Sequence, residues 1–196
     1  MTTEEWVNRI NKSRLLYNKL YNIYFYYIPK SGCTSIRHFL NVNTLCDELD
    51  YNECNINKNN IYCLLRCPIK RLVSGYMTRS FFIDNDFIKE KNYKNFKIFL
   101  EKLILIDIYK VDVHFTPQYI LMNEQLTDKI YNFDNINNLE KDIQTIYSNK
   151  FIFPHEHFMA NDISNKIYNK ILNDNITLNK IKNYYMIDYI KLNNYF

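Results

Sequence analysis

Apolar positions along the chain change their spacing several times. From Trp6 to Tyr21 they recur at helical intervals (Trp6, Ile10, Leu16, Leu20), which predicts an N-terminal helix within residues 1–21. Asn22-Ile-Tyr-Phe-Tyr-Tyr-Ile28 is then almost continuously apolar and rich in β-branched and aromatic residues, the pattern of a buried parallel strand. Pro29 ends the run, Gly32 permits a tight turn, and Thr34 or Ser35 is suited to cap a helix through His38 and Leu40. Residues 41–60 are polar, Asn-rich and without clear period, and read as a long connection. Ile61-Tyr-Cys-Leu-Leu65 repeats the buried-strand pattern, and Ile69, Leu72, Val73 and Tyr76 resume helical spacing, with Pro68 suited to the first turn. A strand, loop and helix therefore occur twice.

Further along, Asn92 to Ile106 predicts an amphipathic helix with Phe96, Phe99, Leu100 and Leu103 on one face. Lys129–Phe133 reads as a short strand, Ile136–Tyr147 as a helix, and Leu178–Tyr195 as helical again. Strands alternating with helices imply an α/β fold, here a single domain over residues 1–196, with the N-terminal helix at 1–21 and a core of central, mainly parallel sheet flanked by helices over 22–196. No repeat, linker or second domain interrupts the pattern.

Composition narrows what such a fold can do. With 47% hydrophobic and 16% aromatic residues in 196, the chain has ample core material, and disorder is excluded. The abundant Asn, Ile, Lys and Tyr read as a coding bias acting on surface positions, so Asn-rich stretches carry no functional weight. The net charge of +4 is modest and the Lys and Arg residues are dispersed, which argues against a nucleic-acid partner and suits a small anionic ligand. No run of about 18 apolar residues exists, and the start MTTEEWVNRI is unlike a signal peptide, so the expectation is a soluble protein, cytoplasmic by default. Five cysteines, at 33, 46, 54, 63 and 67, form no regular framework and are expected as reduced thiols. Cys63 and Cys67 lack a second ligand pair, so packing is favoured over zinc, and no metal is expected.

The chemistry gathers in the two strand-to-helix loops. A loop that opens a helix presents N–H groups without intrahelical partners and the positive end of the helix dipole, which together hold phosphate. Pro29-Lys-Ser-Gly-Cys-Thr-Ser35 has those parts, with Lys30 as a point charge, Gly32 for close approach of the backbone, and the Thr34 and Ser35 hydroxyls as donors. It is not the GxxxxGK[ST] loop, because Lys comes first. The order resembles the 5′-phosphosulfate loop of sulfotransferases that use 3′-phosphoadenosine 5′-phosphosulfate; an ordinary β-to-α turn is the structural alternative. Arg66-Cys-Pro-Ile-Lys-Arg-Leu-Val-Ser74-Gly-Tyr76 is similar to that family's 3′-phosphate motif, with Arg66 as a bidentate fork and Ser74 as a hydroxyl two turns along the helix. A surface Arg and a helix-interior Ser are each common, but that alternative leaves their joint placement unexplained. The only two glycines, Gly32 and Gly75, fall one in each motif. The resemblance thus implies nucleotide contacts from Lys30, Ser31, Gly32, Cys33, Thr34, Ser35, Arg66 and Ser74.

Asp112-Val-His-Phe-Thr-Pro-Gln118 is similar to the His-x-x-Pro-Gln segment of the Golgi carbohydrate sulfotransferases of chondroitin, dermatan and HNK type. Asp128–Phe133, Phe153-Pro-His-Glu-His157 and Tyr185-Met-Ile-Asp-Tyr189 resemble later segments of that family in the same order. The resemblance implies a P-loop-like sulfotransferase fold without a metal. It also implies transfer of a sulfuryl group to a hydroxyl acceptor, a glycan, leaving adenosine 3′,5′-bisphosphate. Lys30 would stabilise the leaving group and His114 would be the base, since imidazole titrates near working pH and Asp112 stands two residues away to orient it. A hydrogen-bonded structural His114 is the alternative. His38 suits packing or solvent, and His155 with His157 suits a substrate-facing or capping turn. Cys33, at a helix start, is a candidate reactive thiol, though a small residue in a crowded loop is the simpler reading. Cys67 stands where the family has an acidic residue, and the family's Golgi enzymes carry a membrane anchor that this sequence does not show. Two other readings stay open: a non-catalytic module that binds adenosine bisphosphate, and an ATP-using small-molecule kinase.

Overall fold

Leu15-Leu16-Tyr17-Asn18 is compatible with either period, and here the structure departs from the helical expectation. The computed structural model describes residues 15–18, 22–40, 60–80, 90–122, 129–147 and 162–196. Leu15–Asn18 forms strand β1, which pairs antiparallel with β2 (Ile23–Tyr26), Leu15 facing Tyr26 and Asn18 facing Ile23. The physical reason is burial on both faces: Leu15, Leu16 and Asn18 are all buried, whereas a helix would cover a single stripe. Asn22 makes the turn at φ 50°, a left-handed conformation that Asn tolerates, and Tyr17 stacks on its cross-strand partner Tyr24 with centroids 4.5 Å apart. The rest of the expected N-terminal helix lies outside the described residues.

In chain order the other elements are α1 (Cys33–Leu40), β3 (Ile61–Leu65), α2 (Pro68–Arg79), α3 (Tyr93–Leu103), α4 (Gln118–Leu121), β4 (Lys129–Asn132), α5 (Ile136–Tyr147), α6 (Asp162–Leu172), α7 (Asn175–Tyr184) and α8 (Met186–Lys191). The sheet order is β1-β2-β3-β4, with β2, β3 and β4 parallel, so the architecture is α/β with a mostly parallel sheet. Phe25 stands beside Tyr62, and Leu65 beside Asn132. Every residue of β3 is buried, as a central parallel strand requires. Parallel pairing also puts the carboxyl ends of β2, β3 and β4 on one edge, from which residues 27–32, Arg66 and Phe133 emerge.

The chain groups into two compact units. The first comprises Met1–Arg66, Gln118–Phe158 and Asn194–Phe196; its described part holds the sheet, α1, α4 and α5 around a core of Leu16, Ile23, Phe25, Ile36, Tyr62, Leu64, Ile136, Leu139 and Ile143. The second comprises Cys67–Pro117 and Met159–Asn193, and its described part is helical. Ile69, Leu72, Val73 and Tyr76 of α2 there meet Phe96, Phe99, Leu100 and Leu103 of α3, with Ile167, Ile171, Ile181 and Tyr185. Two of the four chain crossings between the units, at 66/67 and 117/118, fall inside motifs read from the sequence, and no linker marks them.

In the helical unit the structure departs from the sequence expectations twice. α6 is an element they did not include, although Ile163, Ile167 and Ile171 recur at its helical spacing. The long helix expected over Leu178–Tyr195 is instead α7, α8 and a closing 3-10 turn at Asn193–Tyr195. The break falls at Tyr185, which is fully buried with its hydroxyl donating to the Phe115 carbonyl at 3.0 Å. α7 starts where the Asp174 carboxylate accepts from the N–H groups of Ile176 and Thr177, and α3 where the Asn92 side chain accepts from Asn95 N–H.

Arg71 of α2, completely buried, donates to the carbonyls of Thr116 at 2.7 Å and Val113 at 3.0 Å, fastening the 112–117 segment to that helix. Gly75 allows the close approach: a Cβ there would meet Phe115 Cε1 at 2.7 Å and the His114 carbonyl at 3.4 Å. Gly75→Ala therefore overpacks the helical unit and is expected to cost about 1–3 kcal/mol in chemical denaturation. An unchanged midpoint would mean that Phe115 yields without cost.

Candidate functional site

After β2 the chain must reverse within a few residues to start α1. It does so with two left-handed residues, Lys30 at φ 68° and Gly32 at φ 83°. Glycine adopts that conformation without cost, whereas Lys30 holds it as a non-glycine. Ser31 N–H donates to the Ile28 carbonyl at 3.2 Å, and Ile36 N–H to the Gly32 carbonyl at 2.9 Å. The first helical bond thus closes on Gly32, so Gly32 occupies the cap position expected for Thr34 or Ser35, both of which lie in the first turn. Thr34 is exposed, Ser35 is buried and Cys33 is a half-buried, unbridged thiol. Gly32 is also sterically demanded: a Cβ would come within 2.6 Å of Phe133 Cε2.

The two strand ends are joined by Gln118, whose side chain is 0% exposed. Its Oε1 accepts from Arg66 N–H at 3.0 Å and from the Ser31 hydroxyl at 2.9 Å, while its Nε2 donates to the Arg66 carbonyl at 2.8 Å. Arg66 completes the ring by donating from Nη1 to the Lys30 carbonyl at 3.1 Å. The Arg66 guanidinium lies over the Phe133 ring, 5.3 Å from its centroid. Lys30, Ser31, Gly32 and Arg66 are thus brought together at the carboxyl edge of the parallel strands, where ligands of open α/β sheets commonly bind. Ser31 is 1% exposed and its hydroxyl hydrogen is engaged by Gln118, so its role here is to hold the loop. On α1, Arg37 stacks over Tyr27, 5.4 Å from the ring centroid, adding a second guanidinium to this unit.

The other candidates lie in the helical unit. Ser74 is half-buried on α2, and its carbonyl accepts from the Thr78 hydroxyl at 3.0 Å. The segment after α3 bends so that Asp112 Oδ1 accepts both from His114 N–H at 2.9 Å and lies 2.6 Å from His114 Nδ1. That contact leaves Nε2 as the ring nitrogen not engaged by Asp112. Burial alone would raise the Asp112 carboxyl; the His114 ring and backbone hydrogen bonds, with the His114 and Arg79 charges, outweigh it and hold the carboxyl below its usual range.

His155 and His157 lie outside the described residues, as do Cys46 and Cys54. Burial pushes the Cys63 thiol up, so it is held neutral within β3. Among the described residues no group of three His, Cys, Asp or Glu side chains is placed to hold a metal ion, and no helix is long and apolar enough to cross a membrane. Sequence reasoning missed Gln118 and Phe133 as parts of this arrangement, although both stand in quoted segments. The available signal was a lone amide directly after Pro117.

Compared with protein-family models, with curated proteins and with solved structures, the chain matches none of them significantly.

The depressed Asp112 carboxyl sets a pH dependence. Its contribution to stability is fully present above the ordinary carboxylate value of 3.8 and is lost as pH falls through the lower folded value. Asp112→Asn should therefore lower stability at pH 7 by about 1–2 kcal/mol in urea titrations. The gap to wild type should narrow below that value; a gap constant with pH would contradict the assignment.

Proposed function

We infer that the chain binds 3′-phosphoadenosine 5′-phosphosulfate at the carboxyl edge of its parallel strands and transfers the sulfuryl group to a hydroxyl of a carbohydrate acceptor. The observation that carries this reading is the closed ring of Lys30, Ser31, Gln118 and Arg66, which holds a helix-opening loop and a strand-ending guanidinium side by side. Backbone N–H groups at a helix start and a planar Arg fork are a matched pair for a ligand with more than one phosphate-like group. The geometry supports an anionic ligand, and the motif resemblance supplies the finer identity proposed for it.

In the reaction the acceptor oxygen forms a bond to sulfur as the bond from sulfur to the 5′-phosphate oxygen breaks, releasing adenosine 3′,5′-bisphosphate. The acceptor proton must go to a base. The motif resemblance gives that role to His114, whose Nδ1 lies against Asp112 Oδ1 so that Nε2 is the ring nitrogen Asp112 does not engage. Lys30 offsets charge on the leaving phosphate and Arg66 anchors the nucleotide's other phosphate, the group to which the motif resemblance also assigns Ser74.

Isothermal calorimetry with adenosine 3′,5′-bisphosphate tests the reading directly; no heat of binding at millimolar ligand would sink it. Arg66→Ala should weaken that binding about tenfold to a hundredfold, the scale of a charge-assisted hydrogen bond. Lys30→Ala should cut sulfate transfer by about a hundredfold or more while leaving the melting temperature close to wild type. Tight bisphosphate binding without transfer to any of a broad panel of glycans would identify a binding module instead. Stronger thermal protection by ATP than by the bisphosphate would point to a kinase.

A further inference from the structure

Three groups converge on the Gln118 side chain: the N–H and the carbonyl of Arg66, and the hydroxyl of Ser31. Meeting all three takes one planar group with an acceptor that serves two donors and, beside it, a donor that serves a carbonyl. A carboxylate of the same length would turn lone pairs toward the Arg66 carbonyl and add negative charge at an edge read as anion-binding. Asparagine would fall one methylene short. At neutral pH, where a carboxyl is ionised, a neutral amide of this length meets all three without strain or repulsion.

The geometry points to Gln118 as the positioning residue of the nucleotide site, setting the separation of the Lys30 loop from Arg66 before any ligand arrives. This rests on the nucleotide reading given above for what the site takes, but the linkage itself is a property of the ligand-free chain. The route is closed: Ser31 to Gln118, Gln118 to the Arg66 backbone, and Arg66 Nη1 back to the Lys30 carbonyl. Each member is fixed by two others, so the loop N–H groups and the guanidinium are preorganised. Gln118 touches the ligand through neither of its own atoms in this account. It acts through Ser31 and Arg66, and the charged side chains on the segments it joins, Lys30 and Arg66, are both cationic.

The test uses the full chain with three substitutions, Gln118→Glu, Gln118→Met and Ser31→Ala, and two readouts. In the ligand-free protein, amide hydrogen exchange should rise together at residues 30–33 and at Arg66 in Gln118→Met, while Phe25 and Leu64 keep their protection. Ser31→Ala should release residues 30–33 alone. By calorimetry, Gln118→Glu should bind adenosine 3′,5′-bisphosphate about tenfold to a hundredfold more weakly than wild type at pH 8. The ratio to wild type should shrink as pH is lowered to about 5, because a protonated Glu restores the donor to the Arg66 carbonyl. A residue that only supported the fold would lower the melting temperature without that pH-dependent ratio. If Gln118→Met does not fold, the pH series on Gln118→Glu decides. Exchange changes confined to Arg66, or Gln118→Glu binding within twofold of wild type at pH 8, would overturn the assignment. Absence of bisphosphate binding by wild type would overturn the nucleotide reading alone, and the exchange pattern would then decide the role of Gln118.

Discussion

A buried amide, that of Gln118, is the interaction on which the candidate site depends. Arg66 follows Leu65, the last ladder residue of β3, and its backbone N–H and carbonyl both meet the Gln118 side chain. Leaving buried groups of that kind unsatisfied costs about 1–3 kcal/mol each. Gln118 supplies both partners from a side chain and spends its spare acceptor capacity on Ser31, so one residue meets the backbone requirement of β3 and restrains the loop after β2. Stability and site geometry are served by the same atoms.

The glycines show a related economy. Gly32 is required twice over, by its φ of 83° and by Phe133 against the missing Cβ. Gly75 is required by packing alone, where α2 lies on Phe115. Around Gly75, Arg71 replaces what would be a loose loop with a segment fixed by two charge-assisted bonds to carbonyls, and Asp112 with His114 sits at the head of that segment. Lys30, Arg66 and His114 are therefore carried by backbone stretches that the buried side chains of Gln118 and Arg71 hold in place.

Much of this was legible in the sequence wherever burial is on both faces of a strand or on one clean helical stripe. β3 and α5 have the bounds their patterns imply, and the parallel sheet follows from strands alternating with helices. β1 was not legible, because Leu16 and Leu20 continue the helical spacing of Trp6 and Ile10, and only the pairing with β2 selects the strand. The break at Tyr185 was hidden for the converse reason: the apolar period runs through it, and a tertiary hydrogen bond to Phe115 interrupts the helix. At the site, charge and glycine drew attention to Lys30, Gly32 and Arg66. Gln118 escaped because an amide gains its meaning from groups distant in sequence, whose convergence no local pattern records.

The hairpin of β1 and β2 has a bearing on the order in which the chain can be assembled. Its two strands are joined by a few residues, so closing it costs little chain entropy, whereas β2 meets β3 only after residues 27–60 have been looped back. Once formed, the hairpin offers the open edge of β2 as a template for that distant strand. The bonds of Gln118 join segments farther apart still, at sequence separations of 87 to Ser31 and 52 to Arg66. The loop after β2 acquires its final geometry only when these nonlocal contacts are in place, so a chain arrested earlier would contain its strands and lack its candidate site.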